Sequence, residues 1–409
     1  MNLQTDWINL IDQDQSAMES CLVDWAEINS YSYNTTGLNK ILDAFQAEFQ
    51  RCMAGSVCKF SIEKLELSPE ETLSPKGEKI FRELAPCLKI TKSSINNGAP
   101  NILLMGHLDT VYPPELGFDT CRKLDQNTLN GPGVADLKGG LIIMLKALEY
   151  FEKYSKHADK LNWQIFLNSD EEIGSPSSSI YFPQLAQKNN LALIFEPSLS
   201  DGSVAYRRKG TGNFTIVFRG KSAHVGRDFK SGINALLLAS EFTTRLYKLN
   251  EEDESLIINP GKLNSGGPLN VVPDLAILGL NVRIENQQKA QFFLDSLAQI
   301  KTQIESEFQG SQVEIYGRFN RVPKIPDQKT DELLLLIQSC ARELGQEIGS
   351  KNTGGACDGN NLMDLGLPNI DSLGVRGGKI HSTDEFAHLE SLSQRAKLIA
   401  LVLDRLARG

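Results

Sequence analysis

A chain of 409 residues is longer than one hydrophobic core ordinarily serves, so two domains are expected. Its 41% hydrophobic and 23% charged residues are those of a globular protein, and a formal net charge of −9 argues against a nucleic-acid partner, which would favour a basic face. No apolar run approaches the roughly 18 residues that would suggest a membrane span, and the opening Met1-Asn2-Leu3-Gln4-Thr5-Asp6 has no leader character, so no membrane partner and a cytoplasmic location are expected.

In chain order, residues 6–28 and 38–49 carry helical spacing on either side of the turn signal Asn34-Thr35-Thr36-Gly37. Extended segments at 60–67 and 88–91 lead through the loop 96–100 into the apolar run Ile102-Leu103-Leu104-Met105. That run ends at Gly106-His107-Leu108-Asp109-Thr110. Side chains two apart on a strand share a face, so one of His107 and Asp109 can bind a metal while the other orients it. The next motif is Gly131-Pro132-Gly133-Val134-Ala135-Asp136-Leu137-Lys138-Gly139-Gly140, before a helical stretch over 141–154. Glycines and a proline let the backbone turn sharply and bring Asp136 to the helix entrance, where a carboxylate serves as an N-cap or bridges two cations.

A strand at 163–167 runs into Asp170-Glu171-Glu172, and another at 191–195 ends at Glu196. Consecutive carboxylates repel unless solvated or neutralised by cations, and adjacent residues project differently, so Glu171 and Glu172 can divide the work of general base and ligand. Three strands that deliver imidazole or acidic groups at their ends, separated by helices, match the rule that sites of open α/β sheets lie beyond the strand ends. The seven cysteines are odd in number, scattered and without a C-x-x-C pair, so any metal is held by His and carboxylates.

From Arg207-Arg208 onward the order becomes β-α-β-β-α-β, closed by a strand at 313–319, which describes an inserted split-βαβ domain of roughly a hundred residues. It contains Gly220-Lys221-Ser222-Ala223-His224-Val225-Gly226. Prolines at Val322-Pro323-Lys324-Ile325-Pro326 mark a linker, and the last part carries a helix at 331–344, Thr353-Gly354-Gly355, and a glycine-rich approach to His381-Ser382-Thr383-Asp384-Glu385 before an amphipathic terminal helix. The expected organisation is a catalytic domain in two segments, 1–206 and 320–409, with an insert at 207–319.

The order and separation of these motifs resemble the M20 family of co-catalytic zinc metallopeptidases, with a pattern similar to glutamate carboxypeptidase, acetylornithine deacetylase and succinyl-diaminopimelate desuccinylase. The resemblance covers nearly the whole chain. It implies an α/β phosphorylase/hydrolase-like zinc exopeptidase domain with a ferredoxin-like α+β lid and dimerisation insert. It further implies two Zn2+, with Co2+ or Mn2+ as substitutes: His107 and Glu196 on one, Glu172 and His381 on the other, and Asp136 bridging both. Glu171 would be the general base acting on a metal-bound water, and Asp109 would hydrogen-bond His107 and fix its tautomer. Imidazole and carboxylate donors suit zinc, and a carboxylate behind a ligand His orients it.

The same resemblance implies that His224 reaches across a homodimer, made by the insert, to stabilise the oxyanion in the partner's site. Asn270, Arg283 and the segment at Gly355 would receive the substrate carboxylate, for which Arg has bidentate geometry. The expected activity is a carboxypeptidase that releases a C-terminal residue, glutamate among the candidates. An N-acyl-amino-acid deacylase using the same groups is the alternative, to which Glu196 is compatible because some peptidase relatives carry Asp there. A non-catalytic metal-binding or scaffold protein is the alternative of another class; against it, all five ligand positions and the base are intact.

Overall fold

The computed structural model describes residues 6–92, 98–251 and 255–409. Residues 1–5, and Asn96 and Asn97 of the expected loop, lie outside the described residues. The strands of the two main sheets are, in chain order, β1 (Phe60–Leu65), β2 (Cys87–Lys92), β3 (Asn101–His107), β4 (Asn162–Asn168), β5 (Leu191–Ile194), β6 (Gly210–Arg219), β7 (Leu256–Ser265), β8 (Leu275–Ile284), β9 (Gln312–Arg321) and β10 (Asn369–Ile370).

The first sheet runs β1-β2-β4-β3-β5-β10. Strands β4, β3, β5 and β10 are parallel, while β2 pairs antiparallel with both β1 and β4. Parallel strands are covered on both faces, which is why β3 and β4 read as continuous apolar runs. All residues of β4 are buried, and all of β3 after Asn101. One face packs on the helices Gly139–Tyr154 and Glu390–Arg408 through Leu104, Leu141, Leu145, Ile399 and Leu403, and the other on Phe182, Leu185 and Leu362. The helix at Gly139 approaches the sheet so closely that a Cβ on Gly140 would lie 2.1 Å from the carbonyl oxygen of Phe195. Only glycine permits that contact, and the contact sets where the preceding Asp136 loop enters.

The second sheet, β7-β8-β6-β9, is antiparallel throughout. Strand β8 alternates strictly between buried and half-buried positions. Its buried residues Leu278, Leu280 and Val282 meet Phe214, Ile216 and Phe218 beneath the helices Ala235–Tyr247 and Gln287–Glu307, and Arg283 takes the opposite face.

The chain crosses between the two sheets at Arg208–Gly210 and again at Arg321–Lys324, and both crossings converge on one carboxylate. Asp371, at the end of β10, accepts from Arg208 at 2.7 Å and from Lys324 Nζ at 2.7 Å. Asp371 and Lys324 are fully buried and Arg208 nearly so. The Arg208-Lys324 main chains also pair with each other, at 3.3 and 3.0 Å. Arg208, at the expected start of the insert, is thus held in a buried ionic clamp.

Three local expectations change. Residues 6–14 form a 3-10 helix ahead of the α-helix Gln15–Ala26. A hairpin, Glu70–Leu73 with Lys79–Arg82, occupies a segment with no strand signal, because its charged side chains break the apolar alternation. A short strand, Phe386–His388, which nothing in the sequence announced, precedes the last helix, Glu390–Arg408.

The two cations hold the Asp371 carboxyl well below the ordinary carboxylate range, against the opposing effect of its burial. A lowered folded pKa contributes stability that is present above the unfolded value of about 3.9 and is lost as pH falls towards the folded one. Asp371→Asn leaves two buried cations unpaired, so chemical denaturation at pH 7 should show a loss of about 3–5 kcal/mol. The difference between wild type and variant should shrink as the pH is taken below 4, about the unfolded carboxylate value.

Candidate metal centre and catalytic cleft

Because β3, β4 and β5 are parallel and adjacent, their C-terminal ends open on one edge. His107 is the last residue of β3, Glu171 and Glu172 follow β4, and Glu196 follows β5. Asp136 lies in the distorted turn Val134–Lys138, at φ −114 and ψ 85, ahead of a cis peptide to Leu137. His381 comes from the far end of the chain, on a loop where Lys379 and His381 both adopt positive φ, at 54° and 62°. Side-chain residues in that region are uncommon and concentrate where a functional geometry is enforced.

These side chains converge. His107 Nε2 is 3.2 Å from Asp136 Oδ1, and His381 Nε2 is 3.4 Å from Asp136 Oδ2. One carboxylate therefore presents a separate oxygen to each imidazole. Glu172 Oε2 is 3.2 Å from His381 Nε2, and Glu196 Oε2 is 4.0 Å from His107 Nε2. Atoms of His107, Asp136 and Glu172 all lie within 4.8 Å of one another.

Burial acts on all these acids; against it the His107 and His381 imidazoles hold Asp136 below the ordinary carboxylate range, while the two glutamates are raised. Burial and the neighbouring Asp136 push Glu172 up to about 8, and burial likewise lifts Glu196 well above the ordinary carboxylate range. His381, hydrogen-bonded to Asp136 and Glu172, is pushed up to about 11. For His107, burial opposes the charged form, yet Asp109 and Asp136 outweigh it and raise the imidazole. The cluster thus needs positive charge, from protons or from cations. Two imidazoles and three carboxylates at these separations fit borderline divalent metals such as zinc.

Asp109 acts differently from the expected arrangement. The nearest partner of His107 Nδ1 is the Asp109 carbonyl oxygen at 2.9 Å, with the carboxylate at 3.5 Å. The Asp109 carboxylate mainly receives the main-chain N–H groups of Glu171 at 3.1 Å and Glu172 at 3.0 Å, and the Ser32 hydroxyl at 2.8 Å. It ties the end of β3 to the acidic turn after β4. Glu171 is not turned to open solvent: its Oε1 accepts from Arg321 at 2.5 Å.

The sequence assigns no role to three residues of this surround. Arg321 and its second partner Asp358 sit among uninformative neighbours, and only folding brings them to Glu171. Glu385 had a signal, four positions after His381 in the same motif. Its carboxylate receives the N–H groups of Gly133 at 3.1 Å, Ala135 at 2.9 Å and Asp136 at 2.9 Å, and the Tyr112 hydroxyl at 2.6 Å. It shapes the turn that presents Asp136.

A cleft of about 420 Å3 adjoins the cluster, lined among others by Asn213, Asn281, Arg283, Arg321 and Gly355. Arg283 donates from Nε to Asn281 at 2.9 Å, and burial and the nearby Arg321 lower its pKa. His224 and Asn270 are not brought there. Both are exposed and adjoin each other on loops of the second sheet's domain, where Val225 N donates to the Asn270 carbonyl at 3.0 Å.

A carboxylate shared by two imidazoles at the C-terminal edge of a parallel sheet, beside a polar cleft, defines a metallohydrolase. The chain belongs to peptidase family M20/M25/M40, whose sequence profile matches residues 103–405. It is 28% identical over 318 residues to carboxypeptidase G2 of Pseudomonas sp. (strain RS-16), covering 76% of this chain and 75% of that protein. It is 26% identical over 333 residues to succinyl-diaminopimelate desuccinylase of Pseudoalteromonas atlantica (strain T6c / ATCC BAA-1087), covering 76% and 84%. The fold is shared with human carnosine dipeptidase 1, at a TM-score of 0.74 and 14% identity over 100% of both chains.

Glu385→Ala strips three main-chain donors of their acceptor and should let the Asp136 turn relax. Titration against a chelating dye should show Zn2+ affinity weakened by about 10–100-fold, the range for removing a group that orients a ligand.

Proposed function

We propose that the protein is a di-zinc carboxypeptidase that hydrolyses the amide bond next to a free carboxylate and releases a C-terminal amino acid, glutamate among its substrates. The observation that carries this reading is the Asp136 carboxylate, with one oxygen facing His107 and the other facing His381, beside a cleft that carries Arg283. His107 and Glu196 would hold one ion, Glu172 and His381 the other, and Asp136 both. Paired divalent ions supply Lewis acidity to the scissile carbonyl and acidify water in the cleft.

This chain's own residues do the rest. Glu171 accepts a proton from the attacking water and returns it to the leaving amine nitrogen. Asp109 holds the main chain of Glu171 and Glu172 so that base and ligand keep their spacing. Arg283 and the Gly355 segment receive the substrate's carboxylate, which places the adjoining amide against the cluster. His224, exposed in its own chain, helps stabilise the oxyanion in a partner's cleft when two copies pair through the lid, and Asn270 beside it contacts the substrate carboxylate there. All seven cysteines are free thiols and no described helix is long and apolar enough to cross a membrane, features that support a cytoplasmic enzyme.

A deacylase acting on N-acyl amino acids is the second reading, favoured by Glu196 at the position where some peptidase relatives carry Asp. C-terminal dipeptides, folyl-glutamates and N-acetyl amino acids, each assayed with added Zn2+ or Co2+, distinguish the two. The carboxypeptidase reading expects turnover of peptidyl or folyl glutamate to exceed that of N-acetyl amino acids. The reverse order assigns the deacylase, and no hydrolysis with no bound metal returns the chain to a binding role. Glu171→Gln should reduce kcat by at least about 100-fold, the lower end for general acid–base groups, while elemental analysis finds the metal content of wild type. Wild-type turnover in that variant would remove Glu171 from the mechanism.

A further inference from the structure

We propose that Arg321 is the positioning residue of Glu171, and that through it the crossing from lid to catalytic domain sets the orientation of the base. The proposal rests on the reading of Glu171 as general base. Arg321 Nη2 meets Glu171 twice, at the side-chain Oε1 at 2.5 Å and at the main-chain carbonyl at 3.0 Å. A carboxylate gripped at one oxygen and at its own backbone has little rotamer freedom left. Among the described residues Glu171 Oε2 makes no hydrogen bond, so the grip holds one oxygen and leaves the other for chemistry.

The grip is anchored from behind. The same Nη2 lies 3.2 Å from Asp358 Oδ1, and Asp358 accepts from Ser175 Oγ at 2.5 Å and from Asn168 Nδ2 at 2.7 Å. Asn168 is the last residue of β4, the strand that leads into Glu171. A closed path therefore runs from the strand end through Asp358 and Arg321 back to the acidic turn. Arg321 is 3% exposed, so these are charge-assisted bonds made away from water, where geometry is enforced more strongly than at a surface.

Its position in the chain supplies the second half of the proposal. Arg321 ends β9 of the lid sheet, pairing with Thr211 of β6 at the other crossing. Its neighbour Asn320 donates to the Gly174 carbonyl at 3.4 Å, in the same turn as Glu171. Any rotation of the lid about the two crossings moves the guanidinium that holds the base, whereas His107, Asp136 and Glu196 belong to the catalytic domain alone.

The test uses Arg321→Met and Arg321→Lys in the full chain, with the exposed lid residue Arg318→Met as control. Arg321→Met should lower kcat by about 100-fold, comparable to losing a general base, with KM within about 3-fold and metal content unchanged. Arg321→Lys, which keeps the charge but not the two-point grip, should recover about 10-fold of that loss. Crystal structures of the Met variant should show the Glu171 side chain in more than one rotamer, a readout independent of turnover. If Arg321→Met does not fold, Arg321→Lys and Asp358→Asn decide by the same split: lower kcat at unchanged KM supports the proposal. Wild-type kcat in the folded variants, or a rise in KM alone, overturns it; the latter would make Arg321 a substrate contact. If Glu171→Gln is inactive while Arg321→Met keeps kcat and an ordered Glu171, only the assignment of Arg321 falls; if Glu171→Gln stays active, the underlying reading falls first.

Discussion

Three carboxylates, Asp136, Glu172 and Glu196, are buried within reach of two imidazoles, and the rest of the catalytic domain is arranged to make that tolerable. Unneutralised, such a group is unfavourable in a low-dielectric interior, and the upward displacement of Glu172 and Glu196 is its signature. Divalent cations remove the conflict, so the demand for positive charge and the capacity for metal-assisted hydrolysis have one physical origin. The surrounding groups serve mainly to stop the acids from moving apart. Asp109 binds the turn that carries Glu171 and Glu172, and Glu385 binds the turn that carries Asp136.

Two of the arginines that line the cleft show how the same physics works at its border. Arg208 and Lys324 share Asp371 where the chain passes between sheets, and Arg321 is divided between Glu171 and Asp358. In both places a buried guanidinium meets a carboxylate from a segment remote in the chain. Buried pairs of this kind add little net stability over apolar replacements, but they penalise any arrangement that separates the partners. They suit the junction between the second sheet and the domain that carries the acids.

Much of the fold was legible because apolar periodicity is local. The runs that became β3, β4 and β5 announced both their burial and the polar residues at their ends. The hairpin at 70–82 was not legible, because its strands are short and charged and owe their existence to pairing with each other. The candidate ligands were legible as a set only because each stood in a motif of unusual composition.

By itself the sequence determined that His107, Asp136, Glu171, Glu172, Glu196 and His381 lie at strand ends or in glycine-rich turns, since chain direction and side-chain periodicity follow from neighbours along the chain. Only the tertiary structure decided that Asp136 gives one oxygen to each imidazole, that Asp109 serves the main chain of the acidic turn more than the His107 ring, and that Arg321 holds Glu171. His224 and Asn270 were likewise placed by folding alone, on two exposed loops of the second sheet's domain, outside the cleft of their own chain. Each of these is a distance between residues remote in sequence, governed by the packing of two sheets and by charge balance in a shared interior, and neither is encoded in any single stretch of the chain.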